Sequence, residues 1–385
     1  MKRIFALVLC LLMVSAALAE DAYVATVTTL TKEANRAATR QPGDVQIITI
    51  TCTGDTTLGS CKRVQTKYPE HSYQAYIEKN GYAYPFDGIR HLTETDDITL
   101  VNLEGVLYQP KELSTSHLVF NGPTDYAKIL TEGSVEIVNL ANNHTDDYGK
   151  QGYQSTTAAL DAEGIAYCGD TNFGRHLFWF DFDNDVRIGF IGLLPSYRGA
   201  NPDKVEQDFK KLKQAGCDVI IASIHAGVEG QATHSQMTDT YRKLATSLGA
   251  HIVVGTHPHV PQGLWVEKGV TTLHSLGNFS FGGNTGVNEA LYSPESIIAQ
   301  IDLHFQDGVY LGHQVTIWPI MTTGAADGTG MDGQGYANDY RPILVEGEAA
   351  QAIMQKVQKD TTFPLNPYVD GQGAVQDFVP WNNGK

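Results

Sequence analysis

From residue 44 to Gly255 the chain alternates short β-branched apolar runs with amphipathic stretches, which predicts strand, loop and helix in repeated succession. Residues 45–51 (VQIITIT), 98–103 (ITLVNL), 135–140 (VEIVNL), 186–194 (VRIGFIGLL), 218–224 (DVIIASI) and 252–255 read as buried strands. Residues 126–130, 153–162, 204–214 and 237–248 read as the helices between them. Strands and helices at this spacing make the fold class α/β. After residue 265 the helices drop out. Residues 271–275, 297–305 and 310–319 predict consecutive strands in an antiparallel meander, followed by a late helix over 348–359 and a turn-rich tail.

Residues 1–19 are set apart from the fold. Lys2 and Arg3 precede an apolar run over 4–14, and Ala17-Leu18-Ala19 offers a small-x-small cleavage site, the pattern of a secretory signal. The alternative is an uncleaved anchor, but the apolar run falls short of the roughly 20 residues a span requires. Cys10 follows Leu9, which argues against a lipoprotein. The expected division is therefore a signal peptide (1–19), a linker or weak helix (20–43), one metal-bearing domain (44–345), and a C-terminal helix and tail (346–385). The mature protein is expected outside the cytoplasm, secreted or associated with the cell surface.

The charge balance narrows the partners. Asp and Glu number 43 against 27 Lys and Arg, giving a net charge of −16, and loss of Lys2 and Arg3 with the signal takes it to −18. So acidic a chain is a poor fit to nucleic acid or an anionic bilayer, and no nucleic-acid partner is expected. Hydrophobic residues at 42% and charged residues at 18% exclude a disordered polyanion. Cleavage would leave Cys52, Cys61, Cys168 and Cys217, an even set that could pair outside the cytoplasm. Cys52–Cys61 is the most economical pairing, worth ~2–3 kcal/mol for so short a loop; four buried thiols are the alternative. With no C-x-x-C pair, a thiolate zinc site is not expected.

The chemistry-bearing residues recur at one topological position. The predicted strands from 45 to 255 run into Asp55, Glu104, Asn143-His144, His225, and His257-Pro258-His259. Singly, each has an ordinary explanation: Asp55 as a turn or cap, Glu104 as a solvated strand end, Asn143 as a turn residue, His225 as a hydrogen-bonded core histidine. Turn and core residues have no reason to recur at the carboxyl ends of five strands, where open α/β sheets bind their ligands. The mixed oxygen and nitrogen set suits two divalent cations of the Mn, Zn or Fe kind. His71, His91, His117, His176, His234, His304 and His313 show no such placement and read as surface or structural.

These motifs carry a resemblance. GDTTLG (54–59), VNLEG (101–105), LANNHTDDYGKQG (140–152), HAGVEG (225–230), GTHPHVPQG (255–263) and SLGNFSF (275–281) resemble, in order, those of the CapA (PgsA) family of capsule poly-γ-glutamate synthesis. That family belongs to the calcineurin-like metallophosphatase superfamily. The resemblance implies a four-layer α/β/β/α sandwich with mixed sheets and two metals at the strand ends. It implies Asp55 and His259 as ligands of one metal, Glu104 as the bridging carboxylate, and Asn143, His225 and His257 at the second. His144 would be the catalytic histidine, oriented by Asp147, and Asn278 would line the site or cap a turn. Thr57 departs from the Asp-x-His opening common in the superfamily; Ala226, His251 and His274 also depart. The implied activity is two-metal phosphoester hydrolysis on an anionic substrate or the capsule polymer poly-γ-glutamate, within a membrane capsule-synthesis complex. The alternatives are a non-catalytic polymer-binding or export component and a secreted scavenging phosphatase.

Overall fold

The computed structural model describes residues 26–31, 43–114, 119–195, 201–282, 294–324 and 338–382. The expected signal sequence (1–19), most of the 20–43 segment and His117 lie outside them. The main strands are β1 (Thr26–Thr31), β2 (Val45–Thr56), β3 (Ile98–Leu103), β4 (Ile137–Asn139), β5 (Ala166–Asp170), β6 (Arg175–Asp181) and β7 (Arg187–Leu193), followed by β8 (Val219–His225), β9 (Ile252–Thr256), β10 (Leu264–Glu267), β11 (Val270–Leu273), β12 (Glu295–Gln306) and β13 (Val309–Met321). The helices that cover them are α1 (Tyr73–Asn80), α2 (Ala127–Glu132), α3 (Gly149–Glu163), α4 (Pro202–Gln214), α5 (Gln236–Leu248) and α6 (Gly347–Lys359).

Two sheets stack face to face. The first runs β13-β12-β2-β3-β4-β5 and the second β6-β7-β8-β9-β11-β10, and β5 joins them by pairing with β4 on one side and β6 on the other. Period-two alternation places Ile48, Ile50, Ile98 and Leu100 of the first sheet against Ile188, Phe190, Val219, Ile221, Ile252 and Val254 of the second. The outer face of the first sheet (Val101, Leu103, Val138) buries against α1, α2 and α3 through Ile77, Ile129 and Leu160. The outer face of the second (Ile191, Ile220, Ala222, Val253) buries against Phe209 and Leu212 of α4 and Ala245 of α5. Helices, sheet, sheet and helices make the expected four layers.

Three expectations need correction. The 20–43 segment includes strand β1, which pairs in parallel with β6. The meander does not form. Strand β11 pairs in parallel with β9 and antiparallel with β10 in the second sheet, whereas β12 crosses to the first sheet and lies antiparallel to β2. The β12–β13 hairpin is real, closed by Asp307-Gly308 with both φ angles positive, as a type I′ turn requires. The C-terminal helix is no appendage either. Ala350, Ile353, Met354 and Val357 of α6, spaced as one helical face, enter the inter-sheet core, and residues 374–375 and 379–380 pair with β13. Cys52, Cys61, Cys168 and Cys217 are free thiols. The pleat turns Cys52 into the inter-sheet core, while Cys61 lies in a separate cluster with Val64, Phe120 and Phe281.

Candidate metal centre

Local geometry brings the strand ends to one edge. The β2–β3 register slips between Cys52 and Asp55, so that Asp55 pairs with Asn102; such a bulge re-aims the side chain that follows it. A Cβ on Gly54 would sit 2.0 Å from the carbonyl oxygen of Gly277, so only glycine lets the 277–279 segment lie on this strand end. That segment then holds Asp55 through Asp55 N–H to Gly277 O (3.0 Å) and Phe279 N–H to Asp55 O (2.8 Å). Beyond β4, the side-chain oxygen of Asn142 accepts the N–H groups of His144 (3.1 Å) and Thr145 (2.9 Å), fixing the turn that carries Asn143 and His144. His257 and His259 have φ of 99° and 59°. Such conformations cost about 1–3 kcal/mol each in non-glycine residues and persist where the surroundings over-determine them. Here the N–H of His257 donates to Asp55 Oδ2 at 3.1 Å.

The side chains converge on Glu104. Its Oε1 lies 3.5 Å from His225 Nε2, 3.9 Å from His259 Nε2 and 4.0 Å from His144 Nε2. Asp55 Oδ2 lies 3.1 Å from His259 Nδ1, and Asn143 Oδ1 lies 2.7 Å from His225 Nε2. Two donor sets follow, Asp55–Glu104–His259 and Glu104–His225–His257, the donor atoms of each within 4.8 Å of one another. They share Glu104, which is the arrangement a bridging carboxylate requires. His144 stands beside the sets rather than in them. Its Nδ1 meets Asp147 Oδ2 at 2.9 Å, the same oxygen accepts the N–H of Phe120 at 2.9 Å, and the Phe120 ring packs against the imidazole at 4.7 Å.

Electrostatics fit a cation here. Glu104 is fully buried, and neither of its oxygens accepts a hydrogen bond among the described residues. Burial, then the charge of Asp55, push its carboxyl well above the usual range. A buried charge without a partner costs several kcal/mol, which a coordinated cation removes. Burial would also raise Asp55, but the hydrogen bond and charge of His259 outweigh it and hold the carboxylate ionised. Burial and the neighbouring His257 hold His225 neutral, while burial and His259 lower His257 to about 4. Against burial, the hydrogen bond and charge of Asp55 hold His259 above its ordinary value, so a cation would take the place of protons held by Glu104 and His259, leaving the ionised carboxylate and neutral imidazole that bind metal. The donor set of oxygen and nitrogen without thiolate therefore fits divalent cations of the Zn, Mn or Fe class.

All eight sequence-predicted residues meet at this edge, and Asn278 lines it, its Oδ1 lying 2.8 Å from His259 Nδ1. The sequence reading missed the amides beneath them. Asn102 donates to Asp55 Oδ1 (2.7 Å), lies 3.2 Å from His225 Nδ1, and accepts from Asn139 (2.9 Å) and Asn142 (3.3 Å). The signal was present: V-N-L occurs twice, at 101–103 and 138–140, each time as an asparagine inside an apolar strand, and a buried amide there must be hydrogen-bonded. The reading also missed Glu229, whose carboxylate forms a third set with His257 and His259.

Residues 49–283 match the family model "Bacterial capsule synthesis protein PGA_cap". The chain is 26% identical over 257 residues to "Capsule biosynthesis protein CapA" of Bacillus anthracis, covering 61% of this chain and 60% of that protein. It is 27% identical over 235 residues to "PGA biosynthesis protein CapA" of Bacillus subtilis, covering 54% and 60%. The aligned part thus spans 60% of the length of each of these relatives. Among solved structures, the calcineurin-like phosphoesterase YfkN of Bacillus subtilis aligns with a TM-score of 0.42 and 16% identity, covering 82% of this chain and 98% of that one. A 5'-nucleotidase of Candida albicans aligns with a TM-score of 0.38 and 14% identity, covering 68% and 48%.

Proposed function

The chain belongs to the bacterial capsule synthesis protein PGA_cap family, and from that premise we propose that it is an exported metal-dependent phosphoester hydrolase serving the synthesis or assembly of capsule poly-γ-glutamate. The names of the two CapA relatives support the capsule role. The leader-like residues 1–19 support export. The observation that carries the chemistry is Glu104, a buried carboxylate shared by two donor sets, neither of whose oxygens accepts a hydrogen bond among the described residues.

In this reading Asp55, Glu104 and His259 would hold one divalent cation, and Glu104, Asn143, His225 and His257 would hold the other. Bound cations of this kind polarise a phosphoester and lower the pKa of a coordinated water. The remaining work falls to the chain. Asp147 accepts the Nδ1 proton of His144 and so orients the ring, leaving Nε2 to face Glu104. In the imidazolium form, whose charge Asp147 offsets, Nε2 would give its proton to the departing oxygen and leave the ring neutral with Nδ1–H on Asp147. Phe120 restrains the ring on one side, and Asn102 keeps Asp55 and His225 aligned with each other. The surface is strongly acidic, so an anionic substrate is drawn in by the cations alone. A membrane-associated capsule-synthesis complex is the proposed setting.

The mature chain loaded with Mn²⁺ should hydrolyse bis-p-nitrophenyl phosphate. His144→Ala should keep its metal and lose about 100-fold or more in kcat. Full turnover in that variant overturns the assignment of His144. Metal binding without hydrolysis of any phosphoester would leave the polymer-binding reading in its place.

A further inference from the structure

We propose that Glu229 is a metal ligand, a third carboxylate on the solvent side of the centre that supplies the donor Thr57 does not provide. The proposal rests on the metal-centre reading and is independent of phosphoester hydrolysis. Four observations carry it. First, the Glu229 carboxylate, His257 and His259 offer donor atoms within 4.8 Å of one another, and the charge of Glu229 is felt by both His259 and Glu104.

Second, the loop that bears Glu229 is built against the histidine turn. Ala226 N–H donates to Thr256 O at 3.1 Å, and Gly230 N–H donates to Pro258 O at 2.8 Å. Gly227 has φ of 134°, and a Cβ there would meet Pro258 Cγ at 2.9 Å, so the close approach requires glycine. The loop therefore holds Glu229 beside residues 257–259, although its side chain is exposed.

Third, Thr57 is committed elsewhere. It is fully buried, its hydroxyl donates to Gly59 O at 2.7 Å, and it accepts the N–H of Gly282 at 2.8 Å. That hydroxyl braces the loop after β2 and is not offered to a cation. Fourth, among the described residues the acidic and histidine donors grouped around Asp55 are Asp55, Glu104 and His259, which leaves an octahedral cation such as Mn with open positions. Glu229 is a further carboxylate within reach of His259. A carboxylate reaching in from solvent can also be displaced, which leaves that position open to an incoming anion.

The test is metal titration of the chelator-stripped mature chain with Mn²⁺ and Zn²⁺ by calorimetry, comparing wild type with Glu229→Gln, Glu229→Ala and Glu229→Asp. Glu229→Gln and Glu229→Ala should weaken one binding step by about 10-fold or more and leave the other within a few-fold, with Glu229→Asp falling between. Because Glu229 is exposed, the metal-free variants should melt with wild type, so a lost step reads as lost ligation. Two wild-type steps preserved within twofold in Glu229→Gln overturn the role of Glu229 while leaving the centre intact. A wild-type chain that binds neither ion overturns both readings.

Discussion

The molecule contains two populations of buried histidine, and the difference between them defines the site. At the strand ends His225, His257 and His259 surround carboxylates, and the central one, Glu104, has no hydrogen-bond partner among the described residues. Elsewhere in the same sheets the histidines serve packing. His313 bonds Thr271 Oγ1 through Nε2 (2.6 Å) and the hydroxyl of Tyr310 through Nδ1 (2.8 Å). His251 Nδ1 accepts the N–H of Ile220 at 3.0 Å. His274 stacks on His234 at 4.1 Å, and His234 in turn is held by Asp360 at 2.8 Å. Burial is common to both groups. What separates them is convergence on a buried charge that the protein itself does not satisfy.

The largest effect that can break this comparison is acid. Burial holds His251 and His313 at about 3, against an ordinary value of 6.5. The unfolded chain therefore binds more protons than the folded one between those values. Stability should be complete above pH 6.5 and fall as pH drops toward 3, by about 1.4 kcal/mol per pH unit for each of the two histidines. Denaturant melts of metal-free protein across pH 7 to 4 check the slope. A His251→Asn, His313→Asn double variant should lose the part of the slope these two supply, about 1.4 kcal/mol per pH unit each, the rest coming from His176, His257 and His274; an unchanged slope would place the acid sensitivity elsewhere.

Next in size is a reversal of sign at the centre. Glu104→Gln removes a buried carboxyl whose ionisation the metal-free fold opposes and should stabilise the metal-free protein by about 1–3 kcal/mol at neutral pH, while weakening metal binding by about 100-fold or more. Loss of stability in the metal-free variant would mean that Glu104 is satisfied by the protein. His313→Gln should behave in the opposite way, costing about 1–3 kcal/mol with metal content unchanged. A smaller effect is expected for Asp147→Asn, which removes the acceptor that orients the His144 ring: kcat should fall about 10-fold or more, with the metal steps unmoved. The smallest prediction is none at all. Reductant should leave the melting temperature unchanged, since Cys52 and Cys61 are buried in different clusters; a clear drop would show a crosslink.

Most of this contrast was legible in the sequence because parallel strands print their carboxyl ends in order. Asp55, Glu104, Asn143, His225, His257 and His259 each close an apolar run, and the run itself reports burial. The helices behaved likewise: the stretch over 237–248 became Gln236–Leu248, and that over 204–214 became Pro202–Gln214. What stayed hidden depends on contacts distant in sequence. Strand β11 looks like the next strand of a meander until its pairing with β9 is known, and α6, legible as a helix, reads as lying outside the domain because its four core residues meet partners distant in sequence. Glu229 was hidden for another reason. It sits in a loop with no periodicity, placed by hydrogen bonds from Ala226 and Gly230 that no local pattern announces.

The most direct test of the central claim is the metal stoichiometry of the purified mature chain, measured by elemental analysis after equilibration with Mn²⁺ or Zn²⁺ and desalting. Wild type and His313→Gln should each retain two ions per chain, and Glu104→Gln fewer. A metal-free wild type, or two ions retained without Glu104, would contradict that claim.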